Sequence, residues 1–368
     1  LGTSLSAENQ QGLAIVILTA ANSIRKDRRI LFNLGTCYRA LRMDKQAEKC
    51  WQMCGEMDQT SDLYGNMSGM YLNVHDPEKA LALADRGLEL DPDDPGCRSN
   101  KAIALLELGR WKEGWERYDA ALEAGSRAMK QYWGPKLWSG KRGGTLIASG
   151  EQGVGDEIMF ASMIPDLMKD ADKVVIDSHP RLERLFRDSF PDCDVFPHRK
   201  NPTETEFAKQ YPNPRIVPMG SLGKYYRPTA DSFPGTAYLK AKTMDLPGKF
   251  KVGIAWKGGT LKTMGAERSM SLDLILPILQ VPGVEWYSVE YLETAPKEVC
   301  DLEERTGIRI HHWPARVQAF DYAETATFVN SLDLVIAPCT TVVHLCGALG
   351  KPCWVLAPHK VAWRYGLE

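Results

Sequence analysis

The sequence has few of the features that assign a protein to a class at once. The apolar run at residues 13–21 spans nine residues without a basic segment before it, so it predicts neither a membrane span nor a signal peptide. None of the nine cysteines has a partner at CxxC spacing, which favours reduced, mostly buried thiols in the cytoplasm. Charge of one sign is not in excess, because 45 Lys and Arg stand against 47 Asp and Glu. Nucleic acid is therefore not an expected partner.

The length and composition predict a globular protein with two or three folding units. A chain of 368 residues exceeds what one ordinary core organises, and 44% apolar with 25% charged residues is typical of soluble globular proteins. The predicted domains are residues 1–132, 133–248 and 249–368. The last of these is expected to be incomplete.

The first third of the chain repeats itself with a period of 33 or 34 residues. The residues Leu34, Gly35, Tyr38, Ala47, Trp51 and Cys54 recur 33 positions later as Met67, Ser68, Tyr71, Ala80, Ala84 and Gly87. A third copy lies mostly 34 positions further on, at Lys101, Ala102, Leu105, Gly114, Tyr118 and Ala121. This pattern resembles the tetratricopeptide repeat (TPR), which places small residues where two helices touch and a proline after the second helix, here Pro92. It predicts an α-helical array that begins on the second helix of a repeat.

Two roles are open for this array. Helical repeats stack because one hairpin cannot bury its own apolar face, so the array could serve as a scaffold only. It could instead form a concave groove that binds a peptide, a protein partner, an acceptor or a second copy of the chain.

Strand and helix patterns alternate after a Trp- and Gly-rich junction at residues 133–144. Strands are predicted at residues 145–150, 173–178 and 194–197, with helices at 157–169 and 180–190. Residues 201–248 contain seven prolines and are predicted to form an inter-domain connection with a little structure of its own. Further strands are predicted at 251–256, 284–289, 308–310 and 333–338, with helices at 272–280, 296–306 and 322–331. Two Rossmann-like halves with a cleft between them are expected.

Residues 333–358 have the pattern of a ligand site. A short apolar run is followed by a polar turn, a helix and a second apolar run. A helix that starts at the carboxyl end of a strand presents N–H groups and a partial positive charge, which suits a phosphate. Thr340 and Thr341 begin this helix, and His344 should lie one turn along the same face.

Three stretches in fixed order resemble a known group of enzymes. They are GEQGVGDEIMFASMIPDL, then VGIAWKGG followed by ERSMSL, then CTTVVHLCGALGKPCWVL followed by WRY. They resemble bacterial glycosyltransferases with N-terminal TPRs, whose catalytic region is similar to the heptosyltransferase family. The resemblance covers roughly residues 110–365 and implies a TPR array followed by an α/β GT-B body of two Rossmann-like domains. It also implies metal-independent, inverting transfer of a sugar from a nucleotide sugar to a glycan or protein hydroxyl, without a cofactor.

The first stretch implies the catalytic base. The family motif of Gly followed by Asp falls on Gly155 and Asp156, and that Asp is regarded as the base that takes the acceptor proton. The residues expected on the acceptor side are Gln152, Gly153, Gly155 and Glu157. Glu151 or Glu157 could act as the base instead, or Asp156 could simply cap its helix.

The second stretch implies a donor-phosphate loop. The family binds donor phosphates with the residues that match Lys257, Gly258 and Gly259, and Arg268 with Ser269 precede the next helix. Without a metal, Lys257 and Arg268 would have to neutralise the leaving diphosphate. Either residue could instead be a solvated surface charge.

The third stretch departs from the family at one position. Thr340, Thr341 and His344 keep the pattern that contacts the nucleotide sugar, but Cys339 stands where the family has Asp. This exchange puts a charged contact to the donor sugar or ribose in doubt and indicates a different donor. Cys339 is expected to be buried in the turn and not to act as a nucleophile. His344 could also be a core histidine.

Other motifs carry less weight. Asp192, Cys193 and Asp194 spell DxD, but at a helix-to-strand turn of the wrong fold for that metal motif, and His311 with His312 lacks further ligands at zinc spacing. No GxGxxG fingerprint is present. Two other function classes compete: a TPR scaffold or binding protein with a degenerate transferase body, and an epimerase of UDP sugars on the same fold.

Overall fold

The computed structural model describes residues 10–127, 132, 136–197, 202–259, 265–358 and 361–365. Parts of two predicted loops, residues 133–135 and 260–264, lie outside the described residues. The chain forms two compact units. One contains the described parts of residues 1–127, 228–230 and 362–368, and the other those of residues 128–227 and 231–361.

The first unit is a helical array with the predicted repeat. Its helices are α1 (Gln11–Ile24), α2 (Arg28–Ala40), α3 (Asp44–Met57), α4 (Ser61–Asn73), α5 (Pro77–Leu90), α6 (Pro95–Glu107), α7 (Trp111–Arg117) and α8 (Ala120–Glu123). Most consecutive helices pack extensively against each other. Asp27, Asp76 and Asp94 start α2, α5 and α6 by accepting hydrogen bonds from backbone N–H groups of the first turn. The predicted helical repeats are confirmed.

The small residues of the repeat lie where helices touch. Gly35 in α2 packs against the indole ring of Trp51 in α3, and a Cβ at position 35 would overlap that ring. Trp51 is fully buried, and its Nε1 donates to Phe32 O at 3.2 Å. The ring therefore has no room to withdraw, and glycine sets the distance between the two helices.

We expect Gly35→Ala to lower the free energy of unfolding of this unit by about 1–3 kcal/mol, because the added methyl overpacks a rigid buried contact. Urea denaturation would measure the loss. Gly12→Ala in α1 is the matched control, since a Cβ there meets no heavy atom of the described residues within 4 Å. Equal denaturation midpoints for the two variants would contradict the packing argument.

Glu107, at the end of α6, makes the stability of this unit depend on pH. Burial raises its pKa to about 7, and its Oε2 has no hydrogen-bond partner among the described residues. Between about pH 4.5 and 7 the native carboxyl holds a proton that the unfolded chain has lost, so stability falls as the pH rises. Allowing for partial exposure, the loss is about 2 kcal/mol.

We therefore expect Glu107→Gln to remove most of this pH dependence. Urea denaturation near pH 5 and pH 8, monitored through hydrogen exchange of the α6 amides, would measure the pH dependence of the free energy of unfolding. Glu116→Gln, at an exposed position of α7, serves as the control. A wild-type protein as stable at pH 8 as at pH 5 would disprove the argument.

The second unit contains two parallel sheets. The first half consists of β1 (Lys136–Leu137), β2 (Thr145–Ser149), α9 (Val154–Phe160), α10 (Ile164–Asp170), β3 (Lys173–Ser178), α11 (Glu183–Ser189), β4 (Asp194–Pro197), β5 (Arg215–Pro218) and α12 (Gly223–Tyr226). Its strand order is β1-β5-β2-β3-β4. The predicted connection at 201–248 has more structure than expected, because β5 lies within it and pairs with β2 in the middle of the sheet.

The second half has the same parallel architecture. Its elements are β6 (Lys251–Ile254), α13 (Leu272–Leu279), β7 (Glu285–Ser288), α14 (Ala295–Thr306), β8 (Ile310–His311), α15 (Pro314–Val317), α16 (Tyr322–Asn330), β9 (Leu334–Pro338), α17 (Thr341–Leu349) and β10 (Cys353–Leu356). The strand order is β10-β9-β6-β7-β8. Strands β6, β7 and β9 bury Val252, Trp286 and Ile336 against α13 and α14.

A short segment joins the two halves of this unit. Tyr238 donates its hydroxyl to Ile158 O of α9 at 2.8 Å, and the amides of Tyr238 and Leu239 both donate to Ala348 O of α17 at 2.9 Å. The end of the predicted connection is thus fixed to both halves.

Trp363 of the WRY segment lies within the predicted domain of residues 249–368, but it packs in the helical unit, with ring centroids 5.3 Å from Trp115 and 6.1 Å from Tyr118.

Among the described helices, none combines the length and the hydropathy that a membrane crossing requires.

Candidate functional site

The starts of α9 and α17 meet within the second unit. Each helix follows the carboxyl end of an inner strand of its sheet, β2 for α9 and β9 for α17. A Cβ at Gly155 would lie 3.2 Å from both His344 Cδ2 and Thr341 Oγ1. The predicted acceptor-side and donor-side motifs are therefore direct neighbours, in the position where open α/β sheets bind ligands.

Asp156 holds the first turn of α9. Its Oδ2 accepts a hydrogen bond from Gly153 N at 3.1 Å, and the side chain is half-buried. Asp156 therefore caps its helix, which is one of the two roles that its sequence position allows. Gln152, just before it, is exposed and adopts a left-handed backbone with φ of 65°, which is uncommon for a residue with a side chain. The base role of Asp156 stays a prediction.

The two alternative bases are buried. Glu151 is 4% exposed and accepts from Gly220 N at 2.9 Å, whereas Glu157 is 3% exposed and accepts from His179 N at 2.7 Å. Gly150 lies against the Glu157 carboxylate so closely that a Cβ there would overlap it. These carboxylates hold the loops that follow β5 and β3. Glu157, predicted on the acceptor side, lies beneath the surface that an acceptor would contact.

A buried polar cluster near these acids was not predicted. The Tyr132 hydroxyl donates to Ser149 Oγ at 2.7 Å and also bonds the Asp177 carboxylate. Burial and the charge of Asp177 raise the pKa of Tyr132 well above its ordinary value. Ser149 is the last residue of β2 and lies opposite Asp177, the next-to-last residue of β3. Polar residues such as these, at the ends of otherwise apolar strands, are the signal in the sequence that could have revealed the cluster.

Lys257 is engaged by an acid on α14. Its Nζ forms an ion pair with Glu298, whose other oxygen accepts from Trp256 Nε1 at 2.8 Å. Burial raises the pKa of Glu298, but the hydrogen bonds from Lys257, Thr294 and Trp256 outweigh burial and hold that pKa below its ordinary value. A phosphate would have to share this ammonium with Glu298.

The remaining predicted donor residues form one continuous surface. Gly258 packs against Thr340, and a Cβ at position 258 would overlap the threonine methyl group. Gly258 N donates to Ser269 Oγ at 3.2 Å, and Arg268 Nη1 donates to Cys339 O at 2.7 Å. The loop after β6, the residues before α13 and the turn before α17 are thereby joined.

Three predicted residues occupy the end of this surface. Gly259 follows with φ of 84°, a conformation that favours glycine. Cys339 is 1% exposed and burial raises the pKa of its thiol, which agrees with packing and not with nucleophilic chemistry. Thr340 is the first residue before α17 and has an extended backbone.

Glu290, like Glu298, was not predicted as a site residue from the sequence. It follows β7, is fully buried, and accepts hydrogen bonds from four backbone N–H groups of two loops. Burial raises its pKa, and those N–H groups oppose the rise.

No family model matches this chain. Protein FlbA of Caulobacter vibrioides is 29% identical over 335 residues, which are 84% of this chain and 56% of FlbA. The chain thus spans little more than half of that relative's length.

Solved structures share a part of the chain. MamA matches 33% of this chain and 73% of its own at 13% identity, with a TM-score of 0.31. YrrB, described as a TPR protein with an unusual peptide-binding site, matches 46% and 75% at 16% identity, also with a TM-score of 0.31. A TPR protein from Parabacteroides merdae matches 34% and 51% at 18% identity, with a TM-score of 0.30.

Proposed function

We propose that this chain is a metal-independent, inverting glycosyltransferase of GT-B architecture, which moves a sugar from a nucleotide sugar to an acceptor hydroxyl. The observation that supports it is the meeting of α9 and α17 at Gly155, Thr341 and His344. One helix start can hold an anion and the other carries a half-buried carboxylate. Transfer from a nucleotide sugar needs the anion-binding helix start and the carboxylate to be no farther apart than the length of one sugar.

In this proposal the second half of the α/β unit binds the donor diphosphate. The start of α17 offers backbone N–H groups, and Gly258 lets the loop after β6 approach Thr340 closely. Arg268 and Lys257 supply the positive charge that stabilises the leaving diphosphate, so that no metal is needed for this purpose. Glu298 keeps Lys257 in place until the phosphate arrives.

The first half binds the acceptor. Asp156 takes the proton of the attacking hydroxyl, and direct attack on the anomeric carbon inverts its configuration. The acceptor is a glycan or a protein, and the helical repeats are the part of the chain suited to hold a protein.

Calorimetric titration of the full chain with UDP, GDP, ADP and CMP sugars tests the donor half of the proposal. We expect one nucleotide to bind with one site per chain. If the folded chain binds none of the four, the proposal fails.

The second candidate is a protein-binding scaffold with an inactive transferase body. It is favoured by the internal engagement of Lys257 with Glu298 and of Gly258 N with Ser269, since these groups then already have partners. A stable protein partner in a pull-down, together with no hydrolysis of any nucleotide sugar, would support the scaffold over the enzyme.

A further inference from the structure

Glu290 joins two loops at the carboxyl edge of the second sheet. Its Oε2 accepts from Lys257 N at 2.9 Å and from Trp256 N at 3.4 Å, in the loop after β6. Its Oε1 accepts from Tyr291 N at 3.0 Å and from Leu292 N at 3.2 Å, in the loop after β7. One fully buried carboxylate thus fixes the backbone of the two loops that follow the neighbouring strands β6 and β7.

A buried acid is a costly way to hold two loops unless its charge matters. Within the described residues Glu290 forms no ion pair with a lysine or arginine, so backbone N–H groups alone offset its desolvation. A glutamine of the same shape would turn an NH₂ group toward two of these N–H donors and leave them without acceptors. The carboxylate is the side chain of this size that can accept on both oxygens.

The loop held in this way carries the predicted phosphate contacts. Fixing the backbone of Trp256 and Lys257 fixes the position of Gly258, which packs against Thr340 and bonds Ser269. A site whose donors are in place before the ligand arrives loses less entropy on binding. The side chain of Lys257 can then exchange partners while its backbone stays still.

We propose that Glu290 is a positioning residue for the donor diphosphate, which holds residues 256–258 in their binding geometry without touching the ligand. This inference rests on the proposed function, because it takes the loop to be a phosphate site. It assigns to Glu290 a role in affinity that is separate from its contribution to folding.

Calorimetric titration of Glu290→Gln with UDP, GDP, ADP and CMP tests the proposal. We expect the Kd of the nucleotide that wild type binds to rise at least tenfold, with the stoichiometry still near one. Glu285→Gln is the matched control, since Glu285 lies on β7 and pairs with His311 away from the loop. A lower stoichiometry at unchanged Kd would mean that Glu290 only supports folding, and would overturn the proposal.

Two further measurements keep the test decisive. If wild type binds none of the four nucleotides, the proposed function fails, and amide exchange in residues 255–258 then judges Glu290 alone. Exchange there should be faster in Glu290→Gln than in Glu285→Gln, and equal rates would contradict the positioning role. If Glu290→Gln does not fold, Glu290→Asp replaces it, because the shorter carboxylate keeps its charge but loses reach to Lys257 N. An unchanged Kd in that variant also overturns the proposal.

Discussion

Substitution Asp156→Asn is expected to lower sugar transfer by about 10²–10⁴-fold while nucleotide binding stays within about twofold of wild type. A general base contributes a factor of this order, and an amide cannot accept the acceptor proton. The amide oxygen can still accept the hydrogen bond from Gly153 N, so the start of α9 should keep its shape. Transfer is measured as nucleotide release with the donor found by calorimetry.

Asp172→Asn is the matched control for this experiment. The Asp172 carboxylate also accepts a backbone bond, from Gly144 N at 2.7 Å, but it lies just before β3, at the opposite edge of the sheet. We expect its turnover to equal that of wild type. Normal turnover in Asp156→Asn would remove Asp156 from the base role, and Glu157→Gln would then test the buried alternative.

Gly258→Ala is expected to weaken nucleotide binding at least tenfold. The added methyl would overlap the Thr340 side chain, so the loop after β6 and the turn before α17 would have to separate. Overpacking of this kind also costs about 1–3 kcal/mol of stability. Calorimetry gives the Kd, and thermal denaturation gives the change in stability.

The control lies on the helix that Gly258 approaches. In the part of the chain that the structure describes, a Cβ at Gly347 in α17 meets no heavy atom within 4 Å, so Gly347→Ala should leave both the Kd and the stability nearly unchanged. Equal affinities for Gly258→Ala and wild type would show that the close approach to Thr340 does not matter for the donor.

The parts of the fold that were predicted well have strong local signals. Strands β3 and β4 have the predicted bounds because each has apolar residues at its centre, 174–176 in β3 and 195–196 in β4, between polar and turn residues. The repeats were visible because the same small residues recur at a fixed spacing. Strand β5 was missed because its four residues end in a proline and lie among prolines, which favour a loop assignment when no pairing partner is known.

The candidate site could be predicted only in outline. That Gly155 and Thr341 each lie at the ligand-binding edge of a sheet follows from their positions after the carboxyl ends of strands. The partners of single side chains do not follow, because they depend on packing between distant segments. Glu298 lies 41 residues from Lys257, and Glu290 lies 33 from it. Both acids look like ordinary surface glutamates in the sequence, since nothing local distinguishes a buried one.

The hydrogen bonds of Tyr238 and Leu239 have a geometric consequence for the site. Ile158 and Ala348 lie in the two helices that carry the candidate motifs, and Tyr238 of the joining segment donates hydrogen bonds to the carbonyl oxygens of both. The segment therefore works as a spacer of fixed length. Under the proposed function, substrates of different size would have to be accommodated by the loops around α9 and α17, since widening the gap between the helices would break the bonds to Tyr238.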